Sequence, residues 1–263
     1  MSSRTIQTLR GTRVRVLDYG SDDGEPLVFL HGLSGLLDDT TLFDLLARRH
    51  HVFVPELPGY GESSGEELLE DMLDFALHGW DVVVSLGLAE RRPVLVGHSM
   101  GGMFAAEMAC LAPGAIAKLV LVNAYGLWLD EEPIPDIFSF LPFEFGDYLF
   151  HNPERAAALL VGGTDIADPD SLRDFFVANA RRLGTAGKVL FPIPNRRLSK
   201  RLYRLTTQTL VVWGEQDRLM SPTYATRWEQ LLPRARVVRI PDAGHMLPYE
   251  QPAALASQIN AFL

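Results

Sequence analysis

Ser99 is the residue whose surroundings most clearly suggest chemistry. It lies in the pentapeptide Gly-His-Ser-Met-Gly, after three aliphatic residues at 94–96 and before a stretch of helical character at 103–109. This order predicts a buried strand, a sharp turn and a helix, with the serine on the turn. Gly97 and Gly101 are needed there, because a Cβ at either position would collide with the neighbouring element. The hydroxyl would then project above the sheet at the positive end of a helix.

A serine hydroxyl is a weak nucleophile at neutral pH, so it needs a base, and the base needs an acidic group that orients it. Two later segments supply these residue types. Asp217 follows an apolar strand at 209–213, and His245 follows another at 237–240. Because ligands of open parallel sheets lie beyond the carboxyl ends of the strands, we expect Ser99, Asp217 and His245 to meet at one edge.

Each of these roles has a rival in the sequence. Matches to Gly-x-Ser-x-Gly also arise by chance, and the serine of such a turn can be idle. Asp242 is close to His245 on the same loop, and Glu215 lies two residues before Asp217. Among the other histidines, His98 adjoins the serine and is expected to point away from it, in a structural role.

Short apolar strands alternate with helical stretches in two parts of the chain. The predicted strands are 12–19, 26–30, 51–54, 94–96, 119–122, 209–213 and 237–240, and the predicted helices include 42–47, 68–86, 224–232 and 253–262. This alternation predicts an α/β fold whose mostly parallel sheet has helices on both faces. Residues 124–205 break the pattern with prolines and helical pieces, such as those predicted at 154–160 and 171–183. We expect a core of 1–123 and 206–263 and an inserted helical cap, or lid, of 124–205.

Composition limits the classes of function and partner. The 263 residues carry a net charge of −9, which disfavours nucleic acid and anionic membrane surfaces as partners. The single cysteine, Cys110, allows no intrachain disulfide. The N-terminus does not have the pattern of a signal peptide, and no apolar run approaches the ~18 residues of a membrane span, so a cytoplasmic protein is expected.

The expected partner is a small-molecule substrate, and assembly with further copies of the chain is left open. The histidines are not spaced as zinc ligands, and the sequence contains neither a dinucleotide nor a phosphate loop. We therefore expect neither a metal nor a cofactor.

Over nearly its whole length the chain resembles the α/β-hydrolase superfamily. The matching motifs are His-Gly at 31–32, Leu-Pro-Gly-Tyr-Gly-Glu-Ser at 57–63, Gly-His-Ser-Met-Gly-Gly at 97–102, Trp-Gly-Glu-Gln-Asp at 213–217 and Gly-His at 244–245. The resemblance implies that Asp217 is the acid. The backbone N–H of Met100 is an oxyanion donor by position, and the resemblance implies Leu33 as the second donor. A variant site for the acid holds Asn123, which is not a carboxylate.

The serine narrows the reaction that the resemblance implies. Relatives with an aspartate at that turn remove halogens or open epoxides, so Ser99 argues against both. Ester hydrolysis, carbon–carbon hydrolysis of aromatic ring-cleavage products, cofactor-free perhydrolase or haloperoxidase activity, and a sensor of the same fold remain. Carbon–carbon hydrolases have a similar serine turn and lid, but Met246 lies where their aromatic residue is expected. We therefore expect hydrolysis of a carboxylic ester of a small, fairly apolar molecule through an acyl-enzyme.

The candidate substrate-binding residues lie in the cap and in two loops. They are Ser34, Trp128, Phe138, Arg181 and Met246. Carbon–carbon hydrolases bind a substrate carboxylate with a lid arginine, for which Arg181 and Arg182 are candidates, although arginines in such a position more often lie on a solvated helix face. Other apolar lid residues are expected mainly to pack the lid onto the core, namely Leu127, Phe140, Phe143, Phe145 and Phe150.

Overall fold

The computed structural model describes residues 1–140, 144–161, 164–165, 167–191 and 197–263, so that Phe143 lies outside the described residues. Within them, eight strands form one sheet in the order β1-β2-β4-β3-β5-β6-β7-β8. The strands are β1 (Ser2–Gln7), β2 (Arg13–Tyr19), β3 (Glu25–Leu30), β4 (His50–Pro55), β5 (Val94–His98), β6 (Leu119–Val122), β7 (Thr209–Gly214) and β8 (Ala235–Ile240). β2 is antiparallel to both β1 and β4, and the pairs from β4 to β8 are parallel. The predicted fold class is confirmed.

Helices follow the strands and lie on both faces of the sheet. They are α1 (Thr41–Leu46), α2 (Met72–Ser85), α3 (Met100–Leu111), α4 (Phe145–Leu149), α5 (Pro153–Val161), α6 (Pro169–Leu190), α7 (Thr223–Leu231), α8 (Leu247–Glu250) and α9 (Pro252–Phe262). Side chains of α2, α3 and α7 belong to the apolar core on one face, those of α1 and α9 belong to the core on the other, and α8 contributes to both.

The side chains of β5 point alternately to the two faces of the sheet, and each face is covered by an apolar core. Leu95 belongs to the first core, whereas Val94 and Val96 belong to the second, and all three are completely buried. Each fully buried aliphatic side chain contributes about 1.5–3 kcal/mol relative to an exposed one. Strands buried on both faces are therefore continuous apolar runs, as β5 and β6 are.

Capping residues account for two differences from the predicted helices. The side chain of Asp71 accepts hydrogen bonds from the N–H groups of residues 73 and 74, so α2 begins at Met72 rather than at 68. Asp168 caps α6 in the same way, with Pro169 in the first turn, and α6 continues to Leu190, beyond the predicted end at 183. Strand β1 was not predicted, since its largely exposed sequence offers only one aliphatic residue, Ile6.

The helical segment between β6 and β7 includes α4, α5 and α6. None of the helices in the described ranges combines the length and apolar character needed to cross a membrane. Partly exposed ion pairs join this segment to the rest of the chain, for example Arg155 with Asp39 and Arg181 with Glu66.

Candidate active site

Ser99 occupies a strained turn between β5 and α3. Its φ of 56° and ψ of −121° lie in a region that non-glycine residues rarely adopt, at a cost of order 1–3 kcal/mol. Four backbone hydrogen bonds hold the turn, one of them from the N–H of Met103 to the Ser99 carbonyl at 3.3 Å. The Ser99 N–H donates to the carbonyl of Val122 at 2.9 Å, and the Ser99 carbonyl accepts from Gly102 and Tyr125, each at 3.0 Å. The surrounding structure thus fixes the conformation that presents the hydroxyl.

The two glycines of the pentapeptide are required by close packing, as predicted. A Cβ on Gly97 would lie 2.6 Å from the Cα of Gly102, and a Cβ on Gly101 would meet the backbone of Leu30 and His31. Gly32 is equally constrained, because a Cβ there would lie 2.8 Å from the Cβ of Ser99. The loop after β3 therefore passes directly beside the serine.

The structure brings Ser99, His245 and Asp217 together at the carboxyl edge of the sheet. The Ser99 Oγ lies 2.8 Å from Nε2 of His245, and Nδ1 of the same ring lies 2.8 Å from Oδ2 of Asp217. All three residues are buried, with exposed fractions of 3%, 2% and 5% respectively. Since a buried carboxylate holds one ring nitrogen, the other can accept the hydroxyl proton.

Three further hydrogen-bond donors surround the carboxylate of Asp217. Oδ1 accepts the N–H groups of Leu219 at 3.0 Å and Met220 at 2.9 Å, and Oδ2 accepts Nδ2 of Asn123 at 2.7 Å. Its remaining contact is the imidazole of His245. Asn123 follows β6 and has a positive φ of 44°, which asparagine tolerates better than most residues. The position of Asn123 at this edge was predicted, but its role as a donor to the carboxylate was missed.

The rival acids lie away from the imidazole. Glu215 and Asp242 are both exposed. The backbone of Asp242 has a φ of 55°, and its carbonyl accepts Nε2 of Gln251 at 3.2 Å. Among the three carboxylates considered, Asp217 alone contacts His245.

His98 supports the backbone of the loop that carries His245. Its Nε2 donates to the carbonyl of His245 at 2.8 Å. Burial, and to a lesser extent the nearby ring of His245, lowers the pKa of His98 from 6.5 to about 3. The ring is therefore neutral near pH 7, and its position agrees with the predicted structural role.

The turn after β3 presents backbone groups beside the serine. The carbonyl of Gly32 accepts the N–H of Gly35 at 3.1 Å and Nδ1–H of His31 at 2.8 Å. Because the carbonyl and the following N–H lie in one planar trans peptide and point in opposite directions, these bonds also fix the direction of the Leu33 N–H. His31 Nε2 accepts the N–H of Leu57 at 3.0 Å, so both ring nitrogens brace the loop.

A cavity of about 10 Å³ adjoins the serine, which is room for about one water molecule. Of the predicted residues, Leu33, Ser34 and Met246 line it. Met100 is completely buried as the first residue of α3, where a backbone N–H has no acceptor within the helix. Sequence reasoning missed four lining residues, namely Tyr125, Ile137, Leu149 and Leu219.

Three predicted substrate-binding residues lie elsewhere. Trp128 donates its Nε1 to Asp130 at 2.9 Å and lines a surface cavity beside α7. The ring of Phe138 packs against Phe191, with centroids 5.8 Å apart. Arg181 is paired with Glu66 and donates to the Ser63 carbonyl at 2.9 Å. A sequence pattern predicts that residues 171–183 form a helix, but it does not predict which face of that helix is turned toward the serine.

The next residue along α6, Arg182, instead contacts the turn that follows β3. Its Nη1 donates to the carbonyl of Ser34 at 2.9 Å, and Nη2 donates to Asn179. Its Nε is buried and has no hydrogen-bond partner within the described part of the chain. Over the same residues, His, Cys, Asp and Glu side chains form no group of three or more that could hold a metal ion.

The sheet order and the strained serine on a strand-to-helix turn define a class of α/β enzymes whose nucleophile sits above the sheet. Comparison with known sequences gives the particular family. The model of the alpha/beta hydrolase family matches residues 27–258, so the chain belongs to that family.

Relatives and solved structures extend this comparison. Lipase 1 of Psychrobacter immobilis is 27% identical over 281 residues, which cover 98% of this chain and 83% of that protein. The esterase RhEst1 from Rhodococcus sp. ECU1013 has a TM-score of 0.75 at 23% identity and covers 100% of this chain and 98% of its own. The meta-cleavage product hydrolase of Pseudomonas fluorescens IP01 has a TM-score of 0.78 at 17% identity, with coverages of 98% and 96%. Both structural likenesses show the fold.

Proposed function

We propose that the chain is a serine hydrolase that cleaves a carboxylic ester of a small, fairly apolar molecule through an acyl-enzyme. The observation that carries the proposal is the pair of 2.8 Å contacts that link Ser99 to His245 and His245 to Asp217. The similarity to Lipase 1 supports an ester as the substrate. The proposed partner is therefore a small-molecule substrate.

In the first half of the proposed reaction, Nε2 of His245 takes the Ser99 proton while Oγ attacks the ester carbonyl. Asp217 stabilises the resulting imidazolium and keeps the ring in position. When the tetrahedral intermediate collapses, the bond to the alcohol oxygen breaks and His245 returns its proton to that oxygen. The products of this half are the free alcohol and the Ser99 acyl ester.

In the second half, water takes the place of the alcohol. His245 removes a proton from the water as the water oxygen attacks the acyl carbonyl, and then protonates Oγ of Ser99 as the carboxylic acid leaves. The N–H groups of Leu33 and Met100 are the proposed donors to the oxyanion in both halves. Each such donor contributes about 10²–10³-fold to the rate in known hydrolases.

The helical segment 124–205 is proposed as a cap that closes over this reaction. Tyr125, Ile137 and Leu149 from that segment line the serine cavity. The Leu149 carbonyl also accepts the N–H of Met246 at 2.9 Å. With a cavity of only about 10 Å³, the segment must move before an ester can enter.

The test combines a covalent probe with turnover. A fluorophosphonate should label Ser99, and p-nitrophenyl butyrate should be hydrolysed. Ser99→Ala should lose both, whereas Ser257→Ala, an exposed position on α9, should keep both. Ester turnover retained by Ser99→Ala would contradict the proposal, and labelling without turnover would indicate a binding protein.

One observation favours a second candidate, carbon–carbon hydrolysis of a ring-cleavage product. The unpartnered Nε of Arg182 offers a buried cationic donor beside the turn, where the carboxylate of such a substrate could bind. The meta-cleavage product hydrolase shares the fold. Measurement of kcat/KM for a ring-cleavage dienoate and for p-nitrophenyl butyrate distinguishes the two candidate reactions. The preferred reaction has the higher kcat/KM.

A further inference from the structure

A second, larger cavity lies beside the serine cavity. It has a volume of about 290 Å³ and lies between the cap and the turn after β3. The two cavities share Leu33 and Ser34 as lining residues. We refer to the larger one as the cap cleft.

The walls of the cap cleft are mostly apolar. They include Phe145, Leu160, Phe175, Phe176 and Leu183. Its one charged lining residue, Arg182, donates from Nη1 to the Ser34 carbonyl and from Nη2 to Asn179, while its Nε has no partner among the described residues. An apolar group placed there would therefore exchange water for aromatic and aliphatic surface.

The cap cleft continues along the same turn. A further cavity of about 190 Å³ shares Leu160, Phe175, Asn179 and Arg182 with it and extends to Leu36 and Leu37. Cavities that share walls in series suit a flexible chain better than a compact ring.

We propose that the cap cleft is the subsite for the acyl chain and that the preferred substrates are esters of medium-chain fatty acids. The inference rests on the proposed function. The serine cavity has no room for anything beyond the reacting carbonyl group, so the chain must lie in an adjoining space. The much larger volume of about 290 Å³ has room for a chain of several methylene groups.

Burial of each methylene in the cap cleft strengthens binding by up to about fourfold. The test compares kcat/KM for p-nitrophenyl esters of four, six, eight and ten carbons. We expect a rise of at least about tenfold from butyrate to octanoate in the wild-type enzyme. Equal or falling values from four to eight carbons, with butyrate still cleaved through Ser99, would overturn the subsite and leave the proposed function intact.

A matched pair of variants on α6 tests whether the preference for longer acyl chains arises in the cap cleft. Ala180 lines the cap cleft, whereas Val177 is 61% exposed and is not among its lining residues. Ala180→Trp should lower kcat/KM for octanoate at least about fivefold more than for butyrate, and Val177→Trp should change both esters equally. Equal losses on both esters in Ala180→Trp would contradict the proposal.

A second measurement does not depend on how the new indole is oriented. A crystal structure of the wild-type enzyme labelled at Ser99 with an octyl fluorophosphonate should show the octyl chain against Phe175 and Leu183. A chain that leaves Ser99 in another direction would overturn the subsite. Failure of the probe to label Ser99 at all would instead count against the proposed function.

Discussion

The core side and the cap side of the site are built differently. On the core side, Ser99, His245 and Asp217 are almost completely buried, and their polar atoms are joined by hydrogen bonds of 2.8 Å. On the cap side, the contacts include ion pairs such as Arg181 with Glu66, whose side chains are 36% and 23% exposed. Buried hydrogen bonds in a low dielectric are strong, whereas exposed pairs contribute about 0–1 kcal/mol.

This difference indicates a division of roles. The sheet positions the proposed reacting groups, because their three loops follow β5, β7 and β8, and β5 and β7 are buried over their whole length. The proposed cap contributes most of the walls of the larger cavities. We therefore expect core-side variants to change the rate of the reaction and cap-side variants to change mainly which substrate is accepted, except where a cap residue holds the turn after β3, as Arg182 does.

The largest expected effect is on the core side, at the carboxylate. Asp217→Asn should lower kcat by about 10⁴-fold, because an amide in place of the carboxylate favours the wrong tautomer of His245. KM should change little. Steady-state kinetics with p-nitrophenyl butyrate check this, with thermal unfolding as a control for folding. A loss below tenfold in a folded variant would contradict the role of Asp217.

A smaller effect on kcat is expected at Asn123, which contacts Asp217 rather than His245. Asn123→Gly removes the donor to Asp217 Oδ2 and keeps a residue that accepts positive φ. Since a hydrogen bond to a charged group contributes about 1.5–3 kcal/mol, kcat should fall by about tenfold to a hundredfold. If kcat stays within twofold of wild type, the carboxylate does not depend on Asn123.

Acid should weaken the core through its buried neutral histidines. Burial, and to a lesser extent the charge of Arg10, lowers the pKa of His78 from 6.5 to about 4. Between these values the unfolded chain binds more protons than the folded one, so the free energy of unfolding falls as the pH drops from 6.5 to about 4.

His78→Leu should remove about 2 kcal/mol of the loss that the wild type shows between pH 7 and pH 4.5. Urea unfolding at both pH values measures it. The same loss in variant and wild type would show that His78 does not carry this dependence. Wild type should still lose stability through His31 and His98, whose pKa values are lowered to about 4 and about 3 by burial.

The smallest expected effect separates two neighbouring arginines on the cap side. Arg182→Met removes the donor to the Ser34 carbonyl and loosens the turn that carries Leu33, so kcat should fall by about tenfold. Arg181→Met loses a partly exposed pair with Glu66 and should leave kcat within about twofold. Separate measurement of kcat and KM for both variants tests this difference in kcat. Equal losses of kcat in the two variants would contradict it.

The sequence was sufficient for the core side because strands and their end loops carry local signals. Glycines at fixed spacing and apolar runs before Ser99, Asp217 and His245 predicted which residues meet. The sequence of the proposed cap contains no comparable local pattern of glycines and apolar runs. Helix faces there are set by packing against the core, so Arg181 was chosen where its neighbour Arg182 reaches the turn. The donor Asn123 was likewise missed, because its contact depends on two strands that are distant in the sequence.

The most direct test of the central claim is to trap the covalent intermediate. The enzyme is mixed with p-nitrophenyl butyrate, quenched in acid during turnover, digested and analysed by mass spectrometry. The account predicts one butyryl group on the peptide that contains Ser99, and none on that peptide in the Ser99→Ala variant. Steady turnover with the Ser99 peptide unmodified at every quench time, including those within the first turnover, would contradict it.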